Sequence, residues 1–174
     1  LIIIGKDLTD QCVVVVYAIT GRSPSSQARR IEYFQDQALV KPTDRQKLKK
    51  GNINLLIYPA VKIEEGIAVS NGKHTDAIFK NMKNSSQPDE VLTFALKKWD
   101  YEPDPPNYTP RISGCVLSPD KAALSVIKRA ENGKSLRSFF EFPLIPGKGK
   151  MISTYTGENR DPLPSYNGEP LNIS

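Results

Sequence analysis

Three short segments of the sequence carry side chains that can bind or activate a small anionic molecule. The first, Gly21-Arg22-Ser23-Pro24-Ser25-Ser26, follows a β-branched run and precedes Arg29. Arginine binds phosphate through paired hydrogen bonds and serine hydroxyls add donors, so this segment can form a phosphate cradle. A solvated polar turn explains the same residues, and the spacing alone favours it, because the segment lacks the P-loop pattern.

The second segment, Ser70-Asn71-Gly72-Lys73-His74-Thr75-Asp76, lies between a predicted strand and a predicted helix. Backbone N–H groups at that helix terminus can face an anion, and Asp76 falls in the first turn, where a carboxylate is favourable. The Asn-Gly pair is also typical of an ordinary tight turn. His74 is the sole histidine. It can act as an acid or base, but such a histidine is more often a polar loop or capping residue.

The third segment runs from Asp100 to Arg111 and is the most unusual stretch of the chain. It carries three carboxylates, two tyrosines, an asparagine and an arginine among four prolines. Proline restricts the backbone, so such a loop can preorganise polar side chains around a substrate. A rigid connector between a helix and a strand is an equally good explanation. Elsewhere, Tyr58 can donate a proton or bind substrate, although a buried tyrosine with a satisfied hydroxyl is the commoner case.

The composition predicts one globular domain over residues 1–174, with Lys and Arg scattered along the chain. Its formal charge of +5 suits an anionic ligand, either a small phosphorylated molecule or a nucleic acid. Cys12 and Cys115 lie far apart and form no C-x-x-C pair, which argues against a zinc cluster or a disulfide framework. The apolar start, Leu1 to Ile4, is too short for a signal peptide or membrane span, so we expect a cytoplasmic protein. The abrupt ends lead us to expect a domain that is incomplete at both ends.

Antiparallel sheets are predicted to position the three segments, because strand-forming runs are separated by turns too short for crossover helices. The predicted strands are Ile2 to Ile4 and Val13 to Val16, as a hairpin, then Ile31 to Phe34, Leu55 to Ile63, Ile67 to Ser70, Ile112 to Leu117, Ala122 to Ile127, Leu136 to Phe142 and Met151 to Tyr155. Helices are predicted over Thr75 to Met82 and Asp89 to Trp99. Irregular structure is predicted for Gln35 to Asn54, Pro103 to Pro110 and Pro143 to Lys150.

The order of these segments resembles the archaeal-type IMP cyclohydrolase family. The strings that carry the resemblance are Tyr17-Ala18-Ile19-Thr20-Gly21-Arg22-Ser23, Tyr58, Val69 to Asp76, Asp100-Tyr101-Glu102-Pro103-Asp104, Asn107 to Ile112 and Ile152-Ser153-Thr154-Tyr155. The S-N-G-x-H-T-D and D-Y-E-P-D…N-x-T-P-R-I strings are specific, whereas G-R-S alone is weak. Two departures are Gln27, where the family usually has a further arginine, and the absence of the Gly-rich start and C-terminal helices of the family.

The resemblance implies an α+β fold, a four-layer αββα sandwich of mainly antiparallel sheets similar to the Ntn-hydrolase fold. The implied reaction is the reversible, dehydrative closure of 5-formamidoimidazole-4-carboxamide ribotide (FAICAR) to IMP, without metal, cofactor or covalent intermediate. It implies no nucleic-acid or membrane partner and leaves a homo-oligomer open. The implied catalytic residues are Tyr58, Glu102 and Asp104. The implied substrate-binding residues are Arg22, Ser23, Arg29, Asn71, Gly72, Asp76, Asn107, Thr109 and Arg111.

Two other functions remain open from the sequence. An Ntn-like amidohydrolase can use Cys12 or Ser23 as nucleophile, although neither has a base nearby in sequence. A basic nucleic-acid-binding module can stack bases on Tyr101 and Tyr108. It would bind oligonucleotides with strong salt dependence.

Overall fold

Short β-branched runs separated by turn residues form two antiparallel sheets. The structure, a computed structural model, describes residues 1–21, 23–44, 46, 53–158 and 160–174, with the backbone alone at 53 and 54. The first sheet has the order β11-β10-β1-β2, and the second runs from β3 to β9 in chain order. The strands are β1 Ile2–Lys6, β2 Val13–Tyr17, β3 Arg29–Phe34, β4 Gln37–Pro42, β5 Tyr58–Ile63, β6 Ile67–Ser70, β7 Arg111–Val116, β8 Lys121–Arg129, β9 Ser135–Pro143, β10 Gly149–Ile152 and β11 Leu171–Ile173.

The longer described helices pack on one face of the seven-stranded sheet. The helices are α1 Pro24–Gln27, α2 Ile53–Leu56, α3 His74–Asn81 and α4 Pro88–Leu96, with a 3₁₀ turn at Met82–Asn84. Ile78 of α3 and Leu92 of α4 are wholly buried against Ala68, Cys115 and Ala123 of the sheet. α3 follows β6, and α4 precedes the loop to β7. The packing of these helices on the sheet therefore holds in place the polar segments next to them, residues 70–76 and 100–111.

The opposite face of this sheet packs on the four-stranded sheet. Ile2, Ile4 and Ile152 are wholly buried there against Val69 and Leu124, among other residues. Each such aliphatic side chain contributes about 1.5–3 kcal/mol by leaving water. The sheets approach closely at Gly114, where a Cβ would lie 2.5 Å from Ile4 Cδ1. The apolar interior between the two sheets therefore stabilises the strands that adjoin the polar segments.

The outer face of the four-stranded sheet is apolar. Strand register places Leu171, Met151, Ile3 and Val16 side by side in one row across it. Val16 and Leu171 are about half exposed, as is Val14 in the next row. In the described part of the chain the layers are therefore helix, sheet and sheet. No helix among the described residues is long and apolar enough to cross a membrane.

Several predicted elements are confirmed, and others are wrong. The β1–β2 hairpin and both longer helices form as expected. Gln35 to Asn54 was expected to be irregular, yet Gln37–Pro42 forms β4, paired on both sides by β3 and β5. Residues 45 and 47–52 of that stretch lie outside the described residues. The predicted strand Leu55 to Ile63 is a helical turn followed by β5.

The end of the chain also differs from the prediction. Met151 to Tyr155 was expected as a strand, but β10 spans Gly149–Ile152, and Leu171–Ile173 adds an unpredicted edge strand. Both differences arise from tertiary pairing, because β10 aligns with β1 along its length and β11 then pairs with β10. Local propensity carries no information about either partner.

Candidate functional site

The loop between α4 and β7 is closed on itself by Asp104. The Asp104 backbone carbonyl accepts hydrogen bonds from the backbone N–H groups of Asn107 and Tyr108, both at 3.1 Å. Its carboxylate accepts from the Thr109 backbone N–H at 2.7 Å and from the Thr109 hydroxyl at 2.5 Å. Asp104 is thus the residue that shapes the loop, and the prolines stiffen a turn that already has internal bonds.

Thr109 also joins the loop to the other sheet. Its hydroxyl lies 2.7 Å from the hydroxyl of Tyr155, which follows β10. The Glu102 backbone N–H donates to the Thr109 carbonyl at 2.9 Å. These bonds hold the Glu102 backbone between the two sheets, so the Glu102 side chain starts from a fixed point.

Arg111, the first residue of β7, lies beside Glu102. Its Nη1 is 3.5 Å from Glu102 Oε1, and its Nε donates to the Asp100 carbonyl at 2.7 Å. The guanidinium is 5.1 Å from the centre of the Trp99 ring. Only 8% of Arg111 and 7% of Glu102 are exposed. The site therefore contains a largely desolvated carboxyl group next to a guanidinium that also contacts the Asp100 carbonyl and the Trp99 ring.

Burial raises the pKa of Glu102 to about 8. Arg111 and Arg29 oppose this change, because their positive charges favour the carboxylate, while Asp104 adds to it. At neutral pH the side chain is therefore mostly the protonated acid. A buried carboxylic acid that titrates near the working pH is suited to giving a proton and taking it back.

Two tyrosine hydroxyls meet within range of the charge of this acid. Tyr17 at the end of β2 and Tyr58 at the start of β5 lie 2.8 Å apart, oxygen to oxygen. Burial raises the pKa of both, while Arg29 favours the ionised form of each. The negative charge of Glu102 is felt at both hydroxyls. Both phenols remain protonated near neutral pH, and Tyr58 is a second proton donor in the same region.

Arg29 spans the gap between these tyrosines and α1. Its Nε donates to the Ser26 carbonyl at 2.8 Å and its Nη2 donates to the Thr20 carbonyl at 3.1 Å. It also hydrogen-bonds to the Tyr58 side chain. Ser23 is the N-cap of α1, where its Oγ accepts from the Ser26 backbone N–H at 3.2 Å. Its hydroxyl is therefore used by the helix end. Arg22 lies outside the described residues.

The second segment packs directly against the first residues of β7. Asn71 donates from Nδ2 to the Pro110 carbonyl and accepts at Oδ1 from the Ile112 backbone N–H, both at 2.9 Å. A Cβ on Gly72 would lie 2.9 Å from Arg111 Nη1, so the glycine lets the guanidinium approach the backbone. The role of Asn71 in this geometry is to hold the strand that carries Arg111.

Replacing Asn71 with Ala is expected to lower the free energy of unfolding by about 2–3 kcal/mol, because the Ile112 N–H is left without its partner in a buried strand. Urea unfolding at neutral pH measures this. Asn84→Ala is the matched control, since Asn84 is exposed and bonds only to a neighbouring side chain. A loss no larger than that of the control would contradict the clamp.

His74 and Asp76 are placed apart from each other on α3. His74 is wholly buried, with Nε2 3.3 Å from the Ile112 carbonyl and Nδ1 without a hydrogen-bond partner in the part of the chain that the structure describes. Burial, with a smaller effect of Arg111, lowers the pKa of His74 to about 3, so it stays neutral and is no acid at working pH. Asp76 instead forms an ion pair with Lys62 of β5 at 2.5 Å. The Asp76 carboxylate is therefore engaged in this ion pair.

A cavity of about 320 Å³ adjoins Tyr58. Its lining residues are Leu39, Val40, Lys41, Ile57, Tyr58, Pro59 and Lys73. It therefore combines apolar walls with two ammonium groups beside a proton donor. A second cavity, of about 260 Å³, lies at the other end of α3, around Phe79 and Met82.

The sequence profile of a family described as "IMP cyclohydrolase-like protein" matches residues 1–171. The chain belongs to this family. A relative from Methanopyrus kandleri named IMP cyclohydrolase is 30% identical over 174 residues, covering 93% of this chain and 85% of the relative. Relatives of the same name from Methanothrix thermoacetophila and Methanococcus maripaludis are each 29% identical, covering 92% and 83% of this chain and 76% and 68% of their own.

The structure brings part of the predicted site residues together. The residues that the structure brings into contact or close charge interaction are Arg29, Tyr58, Gly72, Glu102, Asp104, Thr109 and Arg111. Asn107 belongs to the same loop, and its Oδ1 is buried without a hydrogen-bond partner among the described residues. Ser23 and Asp76 have other partners, as described above.

Sequence reasoning overlooked two aromatic residues at this candidate site. Tyr17 was read only as part of a strand and of a family string, and its pairing with Tyr58 joins residues from different sheets. Trp99 was read as an apolar position at the end of a helix, which it is, but its ring also faces Arg111. The only available signal was that both aromatics stand directly before polar segments of the sequence.

Proposed function

We propose that this protein is an IMP cyclohydrolase, which closes FAICAR to IMP with loss of water and catalyses the reverse reaction. Family membership supports the reaction, and the relatives named above carry that name. The observation that carries the proposal is the protonated Glu102 beside the Arg111 guanidinium, close enough to Tyr58 for its charge to affect the Tyr58 hydroxyl.

Ring closure needs positioning, charge stabilisation and proton transfer. The carboxamide nitrogen attacks the formyl carbon, forming the new C–N bond, and the formyl oxygen takes up a proton. The hydroxyl then leaves with a second proton as water, while the two ring nitrogens each give up one. Holding the two groups in contact and supplying protons at the oxygen are the parts that a protein can accelerate.

We assign Tyr58 and Glu102 to these proton steps. Both are protonated at neutral pH, both are buried, and the pKa of the Tyr58 hydroxyl responds to the charge that Glu102 carries when it ionises. Arg111 offsets negative charge that develops at the reacting oxygen or on Glu102. Asp104 fixes the Glu102 loop through Thr109. Asn107 Oδ1, buried and unpartnered, is an acceptor for a donor of the ribotide.

The phosphate of the ribotide is proposed to lie on the open side of Tyr58. Arg111 is nearly inaccessible there and Arg29 bonds to two carbonyls, so their role is to orient and to balance charge. Lys73 lines the cavity beside Tyr58 and can meet a dianion in water, whereas Lys41, which also lines it, is paired with Glu32 at 2.8 Å. Arg22 and Ser23 remain phosphate ligands predicted from the sequence.

Lys73→Ala is expected to raise KM for FAICAR roughly threefold to tenfold with little change in kcat, because an exposed cation contributes modestly to phosphate binding. Raising the salt concentration should increase KM of the wild type more than KM of the variant. Lys80→Ala, an exposed lysine at the far end of α3, is the matched control. A fall in kcat with unchanged KM would contradict this placement.

The four-layer Ntn-like arrangement is proposed for the complete fold. The described layers are helix, sheet and sheet, and the exposed apolar row of the outer sheet face is suited to cover by a helical layer. We also propose that residues 1–174 act as a single domain, since both sheets contribute side chains to the site.

Comparative binding tests this function against the other two. The protein is expected to bind one IMP per chain and to bind inosine, which lacks the phosphate, at least about tenfold more weakly. Calorimetric titration with IMP, inosine and a mixed-sequence oligonucleotide measures this. Equal affinity for inosine, or tight salt-dependent binding of the oligonucleotide alone, would overturn the proposal. A covalent acyl adduct on Cys12 or Ser23 would favour the amidohydrolase.

A further inference from the structure

The Arg111 guanidinium is enclosed by groups that are not part of the proton-transfer pair. Trp99 places its ring 5.1 Å from the guanidinium carbon. On another side, Gly72 brings backbone so close that a Cβ would stand 2.9 Å from Nη1. The same Cβ would stand 3.1 Å from His74 Nδ1. An aromatic face, a glycine and an imidazole therefore surround one cation that is largely out of water.

Trp99 is itself fixed from both directions. It packs against the core under α4, and its backbone N–H donates to the Leu96 carbonyl at 3.0 Å. Arg137 of β9 donates to the Trp99 carbonyl at 2.5 Å and to the Asp100 carboxylate at 3.1 Å. The next carbonyl, that of Asp100, accepts from Arg111 Nε. The Trp99 ring and the Asp100 carbonyl, which both contact Arg111, therefore belong to one turn that Arg137 holds in place.

His74 can sit beside this cation because it is neutral. Its Nε2 lies 3.3 Å from the Ile112 carbonyl, and its Nδ1 is buried without a partner on the side of Gly72. In the tautomer that donates from Nε2, Nδ1 carries a lone pair, which is favourable near a guanidinium. A charged imidazole there would repel Arg111, and the low pKa of His74 reflects this in part.

We propose that Trp99 and Gly72, backed by the neutral His74, are positioning residues that hold the Arg111 guanidinium against Glu102. The proposal deepens the proposed cyclohydrolase function, on which its catalytic meaning rests. Among the described residues, the side chain that pairs with the guanidinium is the Glu102 carboxyl, at 3.5 Å. Moving Arg111 away removes a charge that favours the Glu102 carboxylate, so Glu102 should hold its proton to higher pH.

Substitution of Trp99 or Gly72 removes none of the other charged and titratable groups around Glu102. They are Asp104 in its own loop, Arg29 on β3, Tyr58 on β5 and Tyr17 on β2. Asp100 and Asp104 act on Arg111 from the same loop. A change confined to Trp99 or Gly72 alters none of these groups.

The test is a ¹³C NMR titration of the Glu102 carboxyl in Trp99→Leu and Gly72→Ala, assigned by comparison with Glu102→Gln. Both variants are expected to raise the apparent pKa of Glu102 by about one pH unit relative to wild type. Gly72→Ala is the sharper change, because Gly72 lies outside the left-handed region and the added methyl acts on Arg111 and His74. Trp99→Phe should restore most of the wild-type value, since a ring face remains.

Phe94→Leu is the matched control, because Phe94 is an exposed aromatic of α4, the helix that precedes Trp99. An unchanged Glu102 titration in both Trp99→Leu and Gly72→Ala, with only lowered thermal stability, would reduce these residues to core packing and overturn the proposal. If Trp99→Leu does not fold, Gly72→Ala decides. The titration needs no turnover, so a shifted Glu102 in a protein without cyclohydrolase activity would refute the proposed function and leave the positioning intact.

Discussion

Glu102→Gln is expected to lower kcat for ring closure roughly 10²- to 10⁴-fold while changing the Kd for IMP only a few fold. The amide keeps the size and much of the hydrogen bonding of the acid but has no proton to transfer. The wild-type side chain holds that proton at neutral pH because burial raises its pKa to about 8. Steady-state kinetics with calorimetric binding of IMP separates the two quantities.

Glu131→Gln is the matched control, since Glu131 is exposed in a turn between β8 and β9. It should keep wild-type kcat. Near-normal turnover in Glu102→Gln would remove Glu102 from the proton steps. Loss of IMP binding together with turnover would instead assign it to substrate binding.

The same substitution has a defined effect on stability. The folded chain keeps a proton on Glu102 up to about pH 8, whereas the unfolded chain releases it near the ordinary value of 4.5. The stabilisation is complete below the lower value and is lost as pH rises toward the upper one. Relative to wild type, Glu102→Gln should therefore gain unfolding free energy between about pH 5 and pH 8. Urea unfolding at both pH values measures this and shows that the inactive variant is folded.

Tyr58→Phe is expected to lower kcat roughly 10²-fold with little change in packing, because only the hydroxyl is removed. That hydroxyl is 2.8 Å from Tyr17 and also bonds to Arg29, so it is held in one orientation toward the site. Stopped-flow or steady-state measurement of IMP formation gives kcat and KM separately. Tyr33→Phe, at a tyrosine 69% exposed on β3, is the control.

A second substitution, at Tyr17, distinguishes a catalytic role of the Tyr58 hydroxyl from a structural one. Removing the Tyr58 hydroxyl leaves that of Tyr17 without its partner, which costs about 1 kcal/mol of stability. The double variant Tyr17→Phe/Tyr58→Phe should recover part of that stability and none of the turnover. Recovery of turnover in the double variant would contradict a direct role for the Tyr58 hydroxyl.

The elements predicted correctly were those whose own sequence carries the pattern. The apolar residues of α4 recur at helical spacing, and β1 and β2 are β-branched runs close enough to form a hairpin. β4 was missed because the turn before it uses Gln35 at φ 52°, where glycine or asparagine is the usual signal. α2 was missed because its apolar residues continue without a break into β5.

The site shows the same division between local and distant contacts. The loop from Asp100 to Arg111 is local in sequence, so its density of polar groups was visible, and the family strings gave it a role. The contact between Tyr17 and Tyr58 depends on how two sheets stack, which no local pattern encodes. Asn71 stays a predicted substrate ligand, and the sequence did not reveal that its amide hydrogen-bonds to the Pro110 and Ile112 backbone.

The most direct measurement of the central claim is the ultraviolet absorbance change on conversion of FAICAR to IMP by the wild-type chain. The account predicts a saturable rate proportional to protein concentration, which Glu102→Gln loses and Glu131→Gln keeps. A rate equal to that without protein, from a sample that is folded and binds IMP, would contradict it.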